Sequence, residues 1–300
     1  MDSKAPESRR LGREDIGLLH ELTVARGAAP SEYCAANIYL FRETHQYRLR
    51  LDQRPLLLGR TYDGQAHVAP LFAVEGQDWR WLLANLAPGA CLFPLSETDT
   101  EALRLGAVDG FEVSSNLDDA DYLFRAADLA TLAGPDRKAR RNQRAQFIRE
   151  AGPRVEPFDA AAIDPSRRIL EGWLEDVAKP WAMTDFKACL EALELWRELK
   201  LFGLIVYTRA GEPAGFLLAS GGATGAAIVH FAKGRRGHIG VYAYMFSRFA
   251  EIHGERHSLI NFEQDLGKPG FRRAKRAYGP ALLSPKFRVQ SLAARPPGAG

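Results

Sequence analysis

A short segment beginning at residue 261 has the residue types best suited to chemistry. From Asn261 to Gly267 it reads N-F-E-Q-D-L-G. Side chains alternate across a strand, so a strand here would place Asn261, Glu263 and Asp265 on one face. Unpaired carboxylates are costly to bury and must find partners or reach solvent. We therefore predict a site where Glu263 and Asp265 act as catalytic carboxylates, taking a proton from a nucleophile or orienting it, and Asn261 binds substrate.

The same carboxylates also have a simpler interpretation. Asp265 can cap the turn that follows it, since aspartate side chains often bond to backbone N–H groups two residues further on. Glu263 can form a salt bridge with the basic residues downstream. Three of those residues, Arg272, Lys275 and Lys286, are instead predicted to bind an anionic substrate group or a developing oxyanion if the site is catalytic. Both interpretations stay open.

A second candidate site is the glycine-rich basic loop at residues 233–240, K-G-R-R-G-H-I-G, between a predicted strand and a predicted helix. Backbone N–H groups and the helix dipole make such a junction suitable for an anion. We predict that Arg235, Arg236, Gly237 and Gly240 bind an anion or cofactor there. Because Gly234 stands where coenzyme A-binding loops carry a basic residue or glutamine, no cofactor is certain, and a coenzyme A thioester is one candidate donor. The alternative is a plain turn.

The segment from Arg137 to Arg149 holds six basic residues and no acid. Such a run is typical of a solvated helix face, and its functional interpretation is attraction to RNA, anionic lipid or a phosphorylated substrate. The lack of interleaved aromatic residues argues against stacking on single-stranded bases.

The overall composition excludes several classes of protein. Its 300 residues are 46% hydrophobic and 26% charged with a net charge of +3, typical of a globular chain large enough for two domains. No apolar run reaches the roughly 20 residues that span a bilayer, so we predict a cytoplasmic protein without a transmembrane segment. The spacing of cysteines and histidines predicts neither disulfides nor a metal site. No serine nucleophile motif or triad is legible, and DNA binding is not expected.

The pattern of elements predicts an α/β protein with mixed sheets. In the second half, two helices precede strands at 201–207, 214–219 and 226–232, followed by a helix at 239–253 and a strand at 257–262. A short basic helix at 271–278 and a last strand at 287–289 complete the series. The first half follows a rougher version of this order. We expect an N-terminal domain at 1–134, a basic linker helix at 135–152, a C-terminal domain at 153–292 and a disordered tail at 293–300.

Two stretches resemble one family. They are residues 122–134, Y-L-F-R-A-A-D-L-A-T-L-A-G, and residues 261–275, N-F-E-Q-D-L-G-K-P-G-F-R-R-A-K, which continue through Y-G-P at 278–280 to K-F-R-V at 286–289. The chain resembles stand-alone proteins similar to the C-terminal catalytic domain of phosphatidylglycerol lysyltransferase, the DUF2156 type. The resemblance implies a tandem fold of the acetyltransferase (GNAT-like) kind. In the lipid enzymes of that family, an aminoacyl group passes from tRNA to a lipid headgroup.

The resemblance implies an acyl- or aminoacyltransferase without a metal. The donor would be aminoacyl-tRNA or a small molecule such as acyl-CoA, and the acceptor an amine or hydroxyl. The membrane-embedded half of the lipid enzymes is absent from these residues, which leaves the acceptor open. The alternative is a non-catalytic protein of the same fold that binds an anionic ligand, or a peripheral membrane protein held on an anionic lipid surface by its basic patches.

Overall fold

The computed structural model describes residues 7–75, 78–105 and 110–292. The strands are β1 Arg9–Arg10, β2 Arg48–Arg50, β3 Leu56–Arg60, β4 Ala66–Pro70, β5 Cys91–Leu95, β6 Phe111–Ser115, β7 Asp121–Arg125, β8 Arg154–Pro157, β9 Phe202–Tyr207, β10 Pro213–Gly221, β11 Ala227–Gly234, β12 Leu259–Asn261, β13 Leu282–Ser284 and β14 Phe287–Ser291. The helices are α1 Ile16–Arg26, α2 Ala35–Leu40, α3 Asp78–Ala84, α4 Glu97–Leu105, α5 Ala126–Thr131, α6 Lys138–Ala151, α7 Ile163–Val177, α8 Phe186–Glu194, α9 Val241–His253 and α10 Pro269–Arg276.

The first of two compact units comprises residues 1–121 and 284–300. Its sheet has the order β1-β2-β3-β4-β5-β14-β6, and β4 pairs with β5 in parallel while the other pairs with a resolved register are antiparallel. The helix α3 connects the two parallel strands, as a crossover between parallel strands requires. Trp79 of α3 is completely buried against the apolar side chains of this sheet.

The second unit comprises residues 122–283. Its sheet has the order β13-β7-β12-β11-β10-β9-β8, with β11 and β12 parallel and the helix α9 connecting them. Apolar side chains of α9, among them Val241, Met245 and Phe249, are buried in the core of this unit. The strand and helix series predicted for the second half of the chain is confirmed, with ends displaced by a few residues.

The division into compact units does not follow sequence order. The predicted domains at 1–134 and 153–292 are successive segments, whereas in the structure the last strand, β14, lies between β5 and β6 of the first sheet. The change of unit falls at the start of β7, between Asp121 and Tyr122. The predicted linker helix is observed as α6, and it belongs to the second unit. The predicted tail at 293–300 lies outside the described residues.

The parallel pair β11–β12 fixes the position of the candidate site. Its register pairs Ala227 with Ile260 and Ile228 with Asn261. β12 ends at Asn261, while β11 continues to Gly234. The chain after Asn261 stays bonded to β7, because Phe262 N–H donates to the Tyr122 carbonyl at 2.9 Å. The segment that follows β12 therefore lies between β7 and the part of β11 that extends beyond the end of β12.

Candidate functional site

The candidate site is the turn that follows β12, and its backbone differs from the expected strand. Glu263 and Leu266 have φ angles of 56° and 57°. This left-handed region is rarely adopted by residues other than glycine. The alternation that was expected to place Asn261, Glu263 and Asp265 on one face therefore stops at Asn261, and that prediction is wrong. Asn261 and Glu263 are still in contact through a hydrogen bond, whereas Asp265 bonds to Tyr122 and Arg272.

Two side chains hold the turn in this conformation. The ammonium group of Lys275, on α10, donates to the backbone carbonyls of Phe262, Glu263 and Gln264 at 2.6, 3.0 and 2.5 Å. The Asn261 side-chain oxygen accepts from Glu263 N–H at 2.7 Å. A non-glycine residue in a sparsely populated backbone region costs about 1–3 kcal/mol, and these bonds offset that cost. Asn261 and Lys275, both predicted to bind substrate, are thus bonded to the main chain of the turn.

Asp265 is completely buried at the centre of a second set of bonds. Its carboxylate accepts from the Tyr122 hydroxyl at 2.6 Å, from Gly267 N–H at 2.9 Å, and from two nitrogens of Arg272 at 2.7 and 3.0 Å. Burial alone would raise the pKa of Asp265, but the donors of Arg272, Tyr122 and Gly267 outweigh it and lower the pKa to about 2. The turn-capping contact is present, and so low a pKa makes this carboxylate a weak base.

Glu263 has a different environment, with its side chain 16% exposed. One of its carboxylate oxygens lies 3.0 Å from Nδ1 of His230, whose side chain is fully buried. Nε2 of His230 lies 2.8 Å from the hydroxyl oxygen of Ser220, which is also buried. The three residues lie on β10, on β11 and just after β12, so three neighbouring segments of one sheet bring serine, histidine and carboxylate into a line.

Sequence reasoning missed Ser220 and His230. They lie on the two strands of one hairpin, where Ser220 pairs with Ile228. Residues two apart share a face of a regular strand, but the register of this hairpin shifts between Leu218 and Ala219, so alternation alone could not place Ser220 against His230. Nor does the sequence indicate that Glu263 lies beside His230, because the α9 crossover separates the two residues along the chain.

The basic loop after β11 is already occupied by acidic side chains. The Asp176 carboxylate accepts from Arg236 N–H at 2.8 Å and lies 3.3 Å from Nε of Arg235. Glu175 lies 3.9 Å from the same guanidinium group. Both acids lie at the end of α7. An incoming anion would have to displace Asp176 from this backbone N–H.

The helix N-terminus behind this loop is packed against protein. A side-chain carbon added at Gly240, which has a φ of 92°, would lie 2.0 Å from the backbone oxygen of Gln143 on α6. At Gly237 the same addition meets nothing within 4 Å. The N–H groups of His238 and Val241 donate to backbone oxygens within the loop. The loop at 235–240 therefore differs from a pyrophosphate-binding loop, in which the backbone N–H groups point toward the ligand.

Lys286 lies in the first unit, within a buried ionic cluster. Its ammonium group is 2.7 Å from Asp121, 2.7 Å from Glu32 and 3.2 Å from the Ser31 hydroxyl, and its side chain is 1% exposed. The two carboxylates raise the pKa of Lys286 against the opposing effect of burial. Burial raises the pKa of Glu32 to about 7, and the neighbouring Asp121 charge acts in the same direction.

The basic helix α6 uses much of its charge internally. Three arginines donate to backbone carbonyls at or just after the end of α5. Arg137, directly before α6, donates to Ala133. Within α6, Arg141 donates to Leu132 and Gly134, and Arg144 donates to Ala130. Cations near the last carbonyls of a helix are favourable, since those carbonyls have no partner within the helix. The helix is therefore more than a solvated face.

Neither a membrane span nor a metal centre is found among the residues that the structure describes. None of their helices combines the length and the apolar character needed to cross a bilayer. Nor do their histidine, cysteine, aspartate and glutamate side chains form a group of three or more that could hold a metal ion.

The comparisons with known proteins agree on family and fold. A family described as phosphatidylglycerol lysyltransferase, C-terminal, matches residues 25–290. A Bacteroides thetaiotaomicron protein of unknown function has a similar structure with a TM-score of 0.81, at 20% identity over 95% of this chain and 99% of that one. L-PGS from Bacillus licheniformis has a TM-score of 0.63, at 13% identity over 97% and 94%.

A third similar structure is the C-terminal domain (DUF2156) of a putative lysylphosphatidylglycerol synthetase from Agrobacterium fabrum. Its TM-score is 0.64, at 12% identity over 94% of each chain. The comparison with curated proteins found no match. The tandem GNAT-like α/β fold is confirmed, with two mixed sheets that each contain one parallel pair. The chain belongs to the family of the phosphatidylglycerol lysyltransferase C-terminal domain.

Proposed function

We propose that this protein transfers an aminoacyl group from aminoacyl-tRNA to an amine or hydroxyl acceptor, with Glu263 as the group that takes the acceptor's proton. The observation that carries the proposal is the Glu263 carboxylate. It is partly exposed, bonded to a buried histidine, and fixed on a backbone conformation that other residues hold in place. Unusual backbone conformations that the surroundings enforce cluster at functional sites. Membership of a family named for lysyl transfer supports the same reaction.

The proposed step is an acyl transfer. The acceptor nitrogen or oxygen attacks the ester carbonyl of the aminoacyl group, and its proton passes to the Glu263 carboxylate. The bond from the carbonyl carbon to the ribose oxygen breaks, and that oxygen takes the proton from Glu263 as it leaves, which regenerates the carboxylate. Asp265, Arg272 and Lys275 act on this step through the turn that they hold. This revises the role of Asp265 from base to support.

The loop at 235–240 favours aminoacyl-tRNA over acyl-CoA as the donor. Acyl-CoA would need an anion site for its pyrophosphate at the start of α9. Instead, Asp176 accepts from Arg236 N–H, and α6 packs on Gly240. A carboxylate in that position repels a second anion.

The test is a transfer assay with both donors. Total tRNA charged with radiolabelled amino acids, and separately radiolabelled acetyl-CoA, are incubated with the protein and with phosphatidylglycerol vesicles or a mixture of small amines. We expect label from tRNA in the product, and a loss of about 10²–10⁴-fold in Glu263→Gln, the usual contribution of a general base. Glu255→Gln, on an exposed glutamate of the same unit, is the matched control and should be unchanged.

Three results would contradict the proposal. Full activity in Glu263→Gln would remove its role as base. Transfer from acetyl-CoA but not from charged tRNA would show that aminoacyl-tRNA is not the donor. If no transfer occurs but the protein binds charged tRNA or anionic vesicles with the same affinity in both variants, the non-catalytic alternative replaces the proposal.

A further inference from the structure

We infer that His230 and Ser220 are positioning residues for Glu263. Ser220 holds the His230 ring at Nε2, and the Nδ1–H of His230 orients the Glu263 carboxylate toward the acceptor. The inference rests on the proposed function of Glu263 and goes beyond it, since neither residue touches the reacting atoms.

The two hydrogen bonds of His230 indicate where the imidazole ring carries its proton. An ionised carboxylate accepts hydrogen bonds only, so the 3.0 Å contact to Glu263 requires a proton on Nδ1 of His230. When the ring carries this one proton, Nε2 accepts, and the Ser220 hydroxyl at 2.8 Å is able to donate. The order of hydroxyl, imidazole and carboxylate is therefore determined by the chemistry of the three groups.

Removing either partner of His230 would cost free energy. Its side chain has no exposure to water, so a nitrogen that lost its bond would stay unsatisfied. A solvent-exposed ring could bond to bulk water instead, whereas the ring of His230 is fully buried. The buried ring therefore transmits the position of β10 and β11 to the Glu263 side chain, while Lys275 and Asn261 fix its backbone.

Several ionisable groups bond to the turn that carries Glu263. They include Lys275 and Arg272 of α10, Tyr122 of β7, His230 of β11, and Asp265 within the turn. The pKa of Asp265 lies near 2 and burial raises that of Tyr122 above its ordinary value. A guanidinium group does not titrate in proteins. Neither Asp265 nor Arg272 therefore accounts for a change in the pH dependence of activity on replacing His230.

The test compares three replacements of His230. Asparagine places a donor near the position of Nδ1, glutamine places one near Nε2, and phenylalanine provides neither. Loss of a hydrogen bond to a carboxylate raises its proton affinity, so the acid limb of the pH–rate profile should move to higher pH in His230→Phe and His230→Gln. In both, kcat should fall on the order of tenfold to a hundredfold, with KM little changed. His230→Asn should recover most of both effects. A purely structural histidine would not distinguish asparagine from glutamine.

A second measurement does not depend on activity. Nitrogen-15 NMR of the imidazole groups, with His230 assigned from the spectrum of His230→Asn, should show Nδ1 protonated and Nε2 not. Ser220→Ala should reduce the preference for this tautomer, and Glu263→Gln should weaken the Nδ1–H bond. An Nε2–H tautomer, or equal kinetics in the asparagine and glutamine variants, would overturn the inference. If the tautomer is as expected but no variant or wild-type protein transfers label, the proposed function fails and the hydrogen-bonded line stands as a structural feature only.

Discussion

Asp265→Asn should destabilise the unit formed by residues 122–283 by about 2 kcal/mol at pH 7. The pKa of Asp265 is about 2 in the folded protein against an ordinary value of 3.8. Each unit of such a difference corresponds to about 1.4 kcal/mol of preference for the ionised form. Because the folded pKa is the lower one, this stability is fully present above the ordinary value and is lost as pH falls toward 2. At pH 3 roughly half of it should remain.

The assay is urea unfolding at pH 7 and pH 3, followed by pulsed hydrogen exchange and mass spectrometry. Peptides from residues 122–283 then report on the second unit separately from the first. Asp164→Asn is the matched control, because its side chain is 78% exposed on the first turn of α7. A difference between Asp265→Asn and wild type below about 0.5 kcal/mol, or one that is equal at both pH values, would show that the bonds from Arg272 and Tyr122 do not stabilise the charge as argued.

Two further predictions concern the buried cluster of the first unit and the packed loop of the second. Lys286→Met should cost about 3–5 kcal/mol at pH 7 in urea unfolding, because it leaves two carboxylates buried without their cation. The folded protein favours the neutral form of Glu32, so wild type should lose stability as pH rises from 4.5 to about 7. Glu32→Gln should therefore become more stable than wild type over this range, by up to about 3 kcal/mol. A stability difference that does not change with pH would contradict this. Gly240→Ala should cost about 2 kcal/mol or more, through its left-handed backbone and the backbone oxygen in its path, while Gly237→Ala, with open space around it, should melt within a few degrees of wild type.

The regular elements of the second unit were predictable because each depends on local patterns. Apolar runs bounded by turn residues indicate β9, β10 and β11, and the apolar spacing in α9 indicates a helix. The place where β12 ends was not predictable. No glycine occurs at Glu263 or Leu266 to signal a left-handed turn, and the residue that stabilises the turn, Lys275, lies twelve positions further along the chain.

The candidate site shows the same division between local and distant information. The segment around Glu263 was recognisable from its residue types, but the partners that distinguish its two carboxylates were not. Asp265 is bonded to Tyr122, which lies 143 positions earlier. Arg236 is bonded to Asp176, 60 positions earlier, so the basic loop is less available to anions than its sequence indicates. Hydrogen-bond partners brought together only by the tertiary fold leave no periodic trace in the sequence.

The placement of β14 has a consequence for how the chain is synthesised. β14 lies between β5 and β6 in the first sheet, yet a ribosome produces it only after the whole of residues 122–283. The second unit can complete its sheet while β5 and β6 still lack the strand that joins them. Until then both strands expose unpaired edges, which are the surfaces that nascent chains use to aggregate. Expression at low temperature or with added chaperones should therefore benefit the first unit most, and deleting residues 287–291 should unfold it while leaving the second unit able to fold.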